Sequence, residues 1–127
     1  MNAAANGHVV ELIDRYIAAW NETDAEARRA LIARTYAADA DYLDPVLQGR
    51  GRDGIDAMVE AVHLKYPGYK FSRTSDADSH HDRVRFSWQL AAKTGPALVK
   101  GIDFAILSAD GRLASVTGFF TEMAKPQ

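Results

Sequence analysis

The hydrophobic pattern of this 127-residue chain changes once, at Pro67-Gly68, from helical spacing to strict alternation. That change restricts the fold more than any single motif does. Before it, Val9, Leu12, Ile13, Tyr16, Ile17 and Trp20 form the apolar stripe of a first helix. Thr23-Asp24-Ala25-Glu26 has the form of a capping box with Thr23 as N-cap, and the alanine-rich run after it predicts a second helix filling the region Asp24 to Asp39. A short extended piece, Asp39 to Asp44, precedes a third helix, with Asp53 as N-cap and a stripe of Ile55, Met58, Val59, Val62 and Tyr66 that Pro67-Gly68 ends. After the change, strands are predicted at Tyr69 to Asp76, Val84 to Leu90, Leu98 to Leu107 and Leu113 to Phe120, with turn signals at Thr94-Gly95-Pro96 and Ala109-Asp110-Gly111. Helices segregated from a run of strands predict an α+β fold, the helices covering one face of a curved antiparallel meander.

A chain of this length with 47% apolar residues can bury one core, so residues 1–127 are expected to form a single domain. The absence of cysteine removes disulfides, thiolate nucleophiles and cysteine metal sites, and suits a reducing, cytoplasmic setting. The start, MNAAANGHVVELIDRY, lacks the pattern of a secretory leader, and no segment approaches the ~20 apolar residues of a membrane span. With a net charge of −2 and no basic block, neither nucleic acid nor a membrane is an expected partner.

A helix-covered curved sheet can enclose a pocket, so polar residues on inward faces are the candidates for chemistry. In DYLDP, strand alternation sets Ala40, Tyr42 and Asp44 on one face and Asp41 and Leu43 on the other. Asp44 stands before Pro45, where a carboxylate serves a turn. In VKGIDFAIL, Asp103 occupies mid-strand on the face of Val99, Gly101, Ala105 and Leu107. Burial there would favour the neutral acid unless an arginine such as Arg85 or Arg112 pairs with it. Tyr16, on the first helix's buried stripe, is either core or a phenol aimed at a polar partner.

RYIAAWN at Arg15 to Asn21, DADYLDP at Asp39 to Pro45 and GIDFAILSADGRLASVTGFF at Gly101 to Phe120 together resemble the nuclear transport factor 2-like superfamily, and within it the SnoaL-like proteins. The resemblance implies a conical fold in which a strongly curved antiparallel sheet wraps a pocket closed by three helices, commonly as a homodimer. Matched motif to motif with the ketosteroid isomerases of that superfamily, it implies Asp44 as the base that moves a proton between carbons. Tyr16 and a protonated Asp103 would then donate hydrogen bonds to the enolate. A SnoaL-like polyketide cyclase, with Asp103 as acid or base, is the close competitor. A non-catalytic ligand-binding or dimerisation module is the alternative outside enzymes.

Trp20, Tyr42, Met58, Val62, Trp88 and Phe119 are expected to line the pocket around a small hydrophobic ligand or substrate. No cofactor is expected. No carboxylate-histidine spacing reads as a metal site: His80-His81 lie in a polar connection, where adjacent side chains of an extended chain point apart, and His63 reads as a partly buried structural residue. The second helix looks about one turn, ~3.6 residues, longer than in the compact isomerases, and the tail after Met123 is expected to be loose.

Overall fold

A computed structural model describes residues 7–124. The start of the leader-type reading and the end of the expected loose tail lie outside them. Three helices, α1 (Gly7–Asn21), α2 (Ala25–Thr35) and α3 (Gly51–Lys65), cover a sheet built from β1 (Tyr36–Leu43), β2 (Gln48–Arg50), β3 (Lys70–Arg73), β4 (Asp78–His80), β5 (Arg83–Ala91), β6 (Val99–Leu107) and β7 (Leu113–Met123). No helix is long and apolar enough to cross a membrane among the described residues.

The α1 stripe is buried as its spacing requires, with Leu12, Ile13, Tyr16 and Trp20 all inside. α2 departs from expectation at both ends. Its N-cap is Asp24 rather than Thr23: the Asp24 carboxylate accepts from the Ala27 backbone N–H at 2.8 Å. It also ends at Thr35, because Tyr36 turns to extended geometry and starts β1. Pairing with β7 and burial of Tyr36 and Ala40 outweigh the weak helical preference of the alanines there. The second helix therefore stops four residues short of Asp39. α3 starts two residues before Asp53, which sits in the first turn and not at the cap. A buried ion pair pins α2 to α3, Arg28 Nε lying 2.6 Å from Asp56 Oδ1.

The sheet runs β2-β1-β7-β6-β5-β3, with β4 also on β5. Every junction is antiparallel except β1 with β7, which is parallel, so the sheet is mixed. Where one strand was expected at Tyr69 to Asp76, the chain breaks: the Thr74 N–H bonds the Ser87 carbonyl, and β5 then takes β4 as its partner. His81, at φ 51°, leaves extended geometry, so the His80 and His81 rings do not point apart; their Nδ1 atoms lie 3.1 Å from each other.

An extra residue at Ala114, where the β6–β7 register shifts, resets the alternation of β7. Counted by twos from buried Leu113, Phe119 would be inside. After the shift, Val116, Gly118 and Phe120 face in, and Phe119 lies on the outer face, 59% exposed.

Candidate active site

Asp44 serves the turn and the pocket at once. Its Oδ1 accepts from the backbone N–H groups of Val46 and Leu47 at 2.8 and 2.7 Å, closing the Asp-Pro turn. Its Oδ2 accepts from the Tyr42 hydroxyl at 2.7 Å, from the same inward face of the chain. The carboxylate is half-buried and lines the main apolar cavity.

Asp103 is 3% exposed in the middle of β6, between Phe86 on β5 and Gly118 on β7. Tyr16 donates to its Oδ2 at 2.6 Å from α1, and Trp88 Nε1 donates to its Oδ1 at 2.9 Å from β5. No arginine reaches it: Arg85 pairs with Asp78 and Arg112 with Asp110. Burial pushes the Asp103 carboxyl up to about 7; the Tyr16 and Trp88 hydrogen bonds oppose that rise, and the charge of Asp44 adds to it. Burial, then the charge of Asp103, holds the Tyr16 phenol well above its ordinary range.

Gly118 lets these groups converge. A Cβ on it would stand 2.9 Å from Asp103 Oδ1, 3.1 Å from Asp44 Cβ and 3.3 Å from the Tyr42 hydroxyl. Glycine keeps that point empty and leaves the two carboxyl-bearing side chains around it.

The main apolar cavity, open on one side, has a volume of about 180 Å³. Of the six residues expected to line it, Trp20, Tyr42, Val62 and Trp88 do so. Met58 does not: it is buried in the core on the stripe of α3. Phe119 does not either, and its inward neighbour Phe120 takes that place. A second recess of about 10 Å³ touches Tyr16 and Asp103 and shares the rings of Trp20, Tyr42, Phe71 and Trp88 with the main cavity. The Tyr16–Asp103 pair thus lies directly behind the aromatic wall that the cavity presents.

Tyr36 is the site residue that sequence reasoning misses. It is 1% exposed, its ring centroid is 6.0 Å from that of Tyr16, and its phenol is raised by burial and by the charge of Asp103, with hydrogen bonding to Tyr16 acting the other way. Assigning Tyr36 to a helix hid it; continuing the Ala40–Tyr42 alternation backward would have put it inside. His63 holds structure: its Nε2 is 2.6 Å from the Trp20 carbonyl, linking α3 to α1. Among the described residues no cluster of three or more His, Asp or Glu side chains could hold a metal ion.

A curved sheet closed by three helices around an acid-lined cavity defines a nuclear transport factor 2-like α+β protein. Residues 13–116 match the SnoaL-like domain family, and the chain belongs to it. A SnoaL-like protein from Agrobacterium tumefaciens, provisionally called an isomerase, is 38% identical, with 92% of this chain and all of that one covered at a TM-score of 0.87. Two more distant structures share the fold. A provisionally assigned ketosteroid isomerase from Kribbella flavida is 19% identical at TM-score 0.63, covering 98% of this chain and 85% of its own. A provisionally assigned polyketide cyclase from Sinorhizobium meliloti is 19% identical at TM-score 0.67, covering 85% and 93%. No curated protein matches the chain.

Proposed function

We propose that the chain is a cofactor-free proton-transfer enzyme acting on a hydrophobic carbonyl compound, by isomerisation or by ring closure. The observation that carries this reading is the pair of carboxyls at Gly118: Asp44 at the cavity wall, served by three donors, and Asp103 in a buried recess with no cation paired to it among the described residues. Asp44 Oδ2 takes a proton from the carbon beside the carbonyl, and the electron pair moves onto the carbonyl oxygen. Stabilising that enolate requires Tyr16 and the protonated Asp103, which now hydrogen-bond each other behind the aromatic wall, to turn a donor toward it; a low-dielectric setting makes such a donor worth more than in water. In an isomerisation Asp44 returns the proton to the γ-carbon. In a ring closure the enolate carbon attacks a second carbonyl of the same molecule and the new alkoxide takes the proton. Either way no external oxidant or reductant is consumed, and the names carried by the relatives above agree with both outcomes.

The test is turnover of β,γ-unsaturated ketones of one to four rings, read by absorbance of the conjugated enone, with Asp44→Asn as control. A positioned general base contributes roughly 10²–10⁴ in rate, and Asp44→Asn should lose that much with its fold intact. Turnover that survives Asp44→Asn, or none with any of these ketones, overturns the isomerase form of the reading.

A binding module without turnover is the second reading. It is favoured by the internal satisfaction of the network, since both oxygens of Asp103 and of Asp44 already accept hydrogen bonds. Saturable ligand binding without turnover of a carbonyl compound would select it. A homodimer in the cytoplasm belongs to either reading. Its support is the outer sheet face, where Ile102 pairs with Phe119 beside Phe104, the two phenylalanines being exposed. Phe119→Asp should halve the mass seen by light scattering.

A further inference from the structure

The main cavity is small, walled by rings that hold one another in place, and charged at its mouth. Trp20, Phe71, Trp88 and Phe120 follow one another at centroid spacings of 4.8, 5.6 and 6.1 Å. Trp88 cannot withdraw to enlarge the space. Its indole lies flush on the β6 backbone, where a Cβ on Gly101 would come within 2.5 Å of Cζ2, and its N–H is tied to Asp103. A dry apolar cavity of about 150 Å³ takes one benzene ring, and drug-sized ligands fill ~300 Å³ or more. The 180 Å³ here therefore fits one ring with a short arm between its walls, and a four-ring steroid would have to extend out through the open mouth.

The charged groups of the lining are Asp44 and Lys65. The oxygens of Asp44 are engaged by Tyr42, Val46 and Leu47. Lys65, in the last turn of α3, takes part in none of the ion pairs among the described residues. Its ammonium lies 5.5 Å from the centroid of the Tyr66 ring, which also lines the cavity, so the charge is held against the mouth.

We propose that the occupant is a one-ring carbonyl compound carrying a carboxylate on a short arm, the ring seated against Trp88 and the carboxylate at Lys65. This rests on the cavity being the reaction site proposed above, and names the class of molecule that enters it.

Binding can be read without turnover, because the two tryptophans of the chain, Trp20 and Trp88, both line the cavity and report occupancy by fluorescence. Phenylacetate, its neutral isostere phenylacetamide, and estradiol as a four-ring probe are titrated into wild type, Lys65→Met and Lys65→Arg. Phenylacetate should quench saturably and bind roughly three- to fivefold tighter than the amide, the range of an exposed ion pair. The preference should vanish in Lys65→Met and persist in Lys65→Arg, and estradiol should not saturate. The proposal is overturned if phenylacetate fails to saturate, if estradiol binds more tightly than phenylacetate, or if the preference survives Lys65→Met. A preference that depends on Lys65, found in a protein that turns over no ketone, upholds the ligand class and rejects the isomerase form of the catalytic reading.

Discussion

Asp44 and Asp103 both approach the one point that a side chain on Gly118 would fill, yet their surroundings differ in kind. Asp44 ends a strand at a turn, half-buried, with two backbone N–H groups and one phenol on its oxygens. Asp103 interrupts the middle of a strand, with a phenol and an indole as its donors and 3% of its surface exposed. The first is supported by main chain that the turn would present to any acceptor there. The second is supported by two aromatic side chains contributed by α1 and β5. Two carboxyls of the same chemical type are thereby given different environments by the elements that carry them, one at the cavity wall and one in a recess whose burial disfavours its charge.

The largest expected effect separates the two by pH. Asp103 goes from the usual aspartate range in the unfolded chain to about 7 in the folded one, so the folded state holds its proton more tightly. The stability this contributes is fully present below about pH 4 and is lost as pH rises through about 7. At about 1.4 kcal/mol per pKa unit the loss is on the order of 4 kcal/mol. Asp103→Asn cannot titrate, so urea denaturation across pH 4–8 should show wild type losing that much relative to the variant. In Asp44→Asn the loss should remain, with its upper end at lower pH, because the charge of Asp44 is one of the causes that raise Asp103. A wild type that tracks Asp103→Asn at every pH would erase the distinction between the two acids.

Gly118→Ala tests whether the two environments depend on one point of backbone. Its new Cβ would crowd Asp103 Oδ1 at 2.9 Å and also meet Asp44 and the Tyr42 hydroxyl, so both carboxyl networks must shift. Overpacking of this sort costs about 1–3 kcal/mol. A shift of denaturation midpoint in that range, together with a moved Asp103 titration and weaker ligand binding, is expected. An alanine variant with wild-type stability and an unchanged titration would show that the sites are independent.

Much of this was legible beforehand, for reasons that mark where the rest was not. The α1 stripe and the change of period at Pro67-Gly68 are local patterns, and they gave Tyr16 its buried face and the strands their place. Alternation within DYLDP and VKGIDFAIL then turned Asp44 and Asp103 inward. What failed was decided by pairing between distant segments. β1 takes Tyr36 from the alanine-rich helix because β7 lies beside it, and their parallel junction follows from where the last strand inserts. The extra residue at Ala114 exchanged Phe119 for Phe120, since a register shift moves every following side chain to the other face. Gly118 carried no signal of its own: an absent side chain gains meaning only when its neighbours are known.

The smallest of these effects concerns the indole that only Asp103 possesses. Trp88→Phe removes the donor to Asp103 Oδ1 and keeps most of the ring on the cavity wall. An unpaired buried acceptor costs about 1–3 kcal/mol, and the low end is expected here because Tyr16 still serves the other oxygen. The loss should not be uniform in pH. The indole hydrogen bond holds the Asp103 carboxyl down against its burial, so without it the acid titrates higher. At pH 4, where Asp103 is neutral in the folded protein and the two unfolded chains titrate alike, the variant should differ from wild type mainly by its lost packing. Above the folded titration the charged form has lost a donor, and the gap should widen by about 1 kcal/mol. Denaturation of Trp88→Phe beside wild type at pH 4 and pH 8.5 reads both numbers. A gap that is the same at both ends would mean that the indole packs against Asp103 without stabilising its charge, leaving Tyr16 as the side chain that sets this acid apart from Asp44.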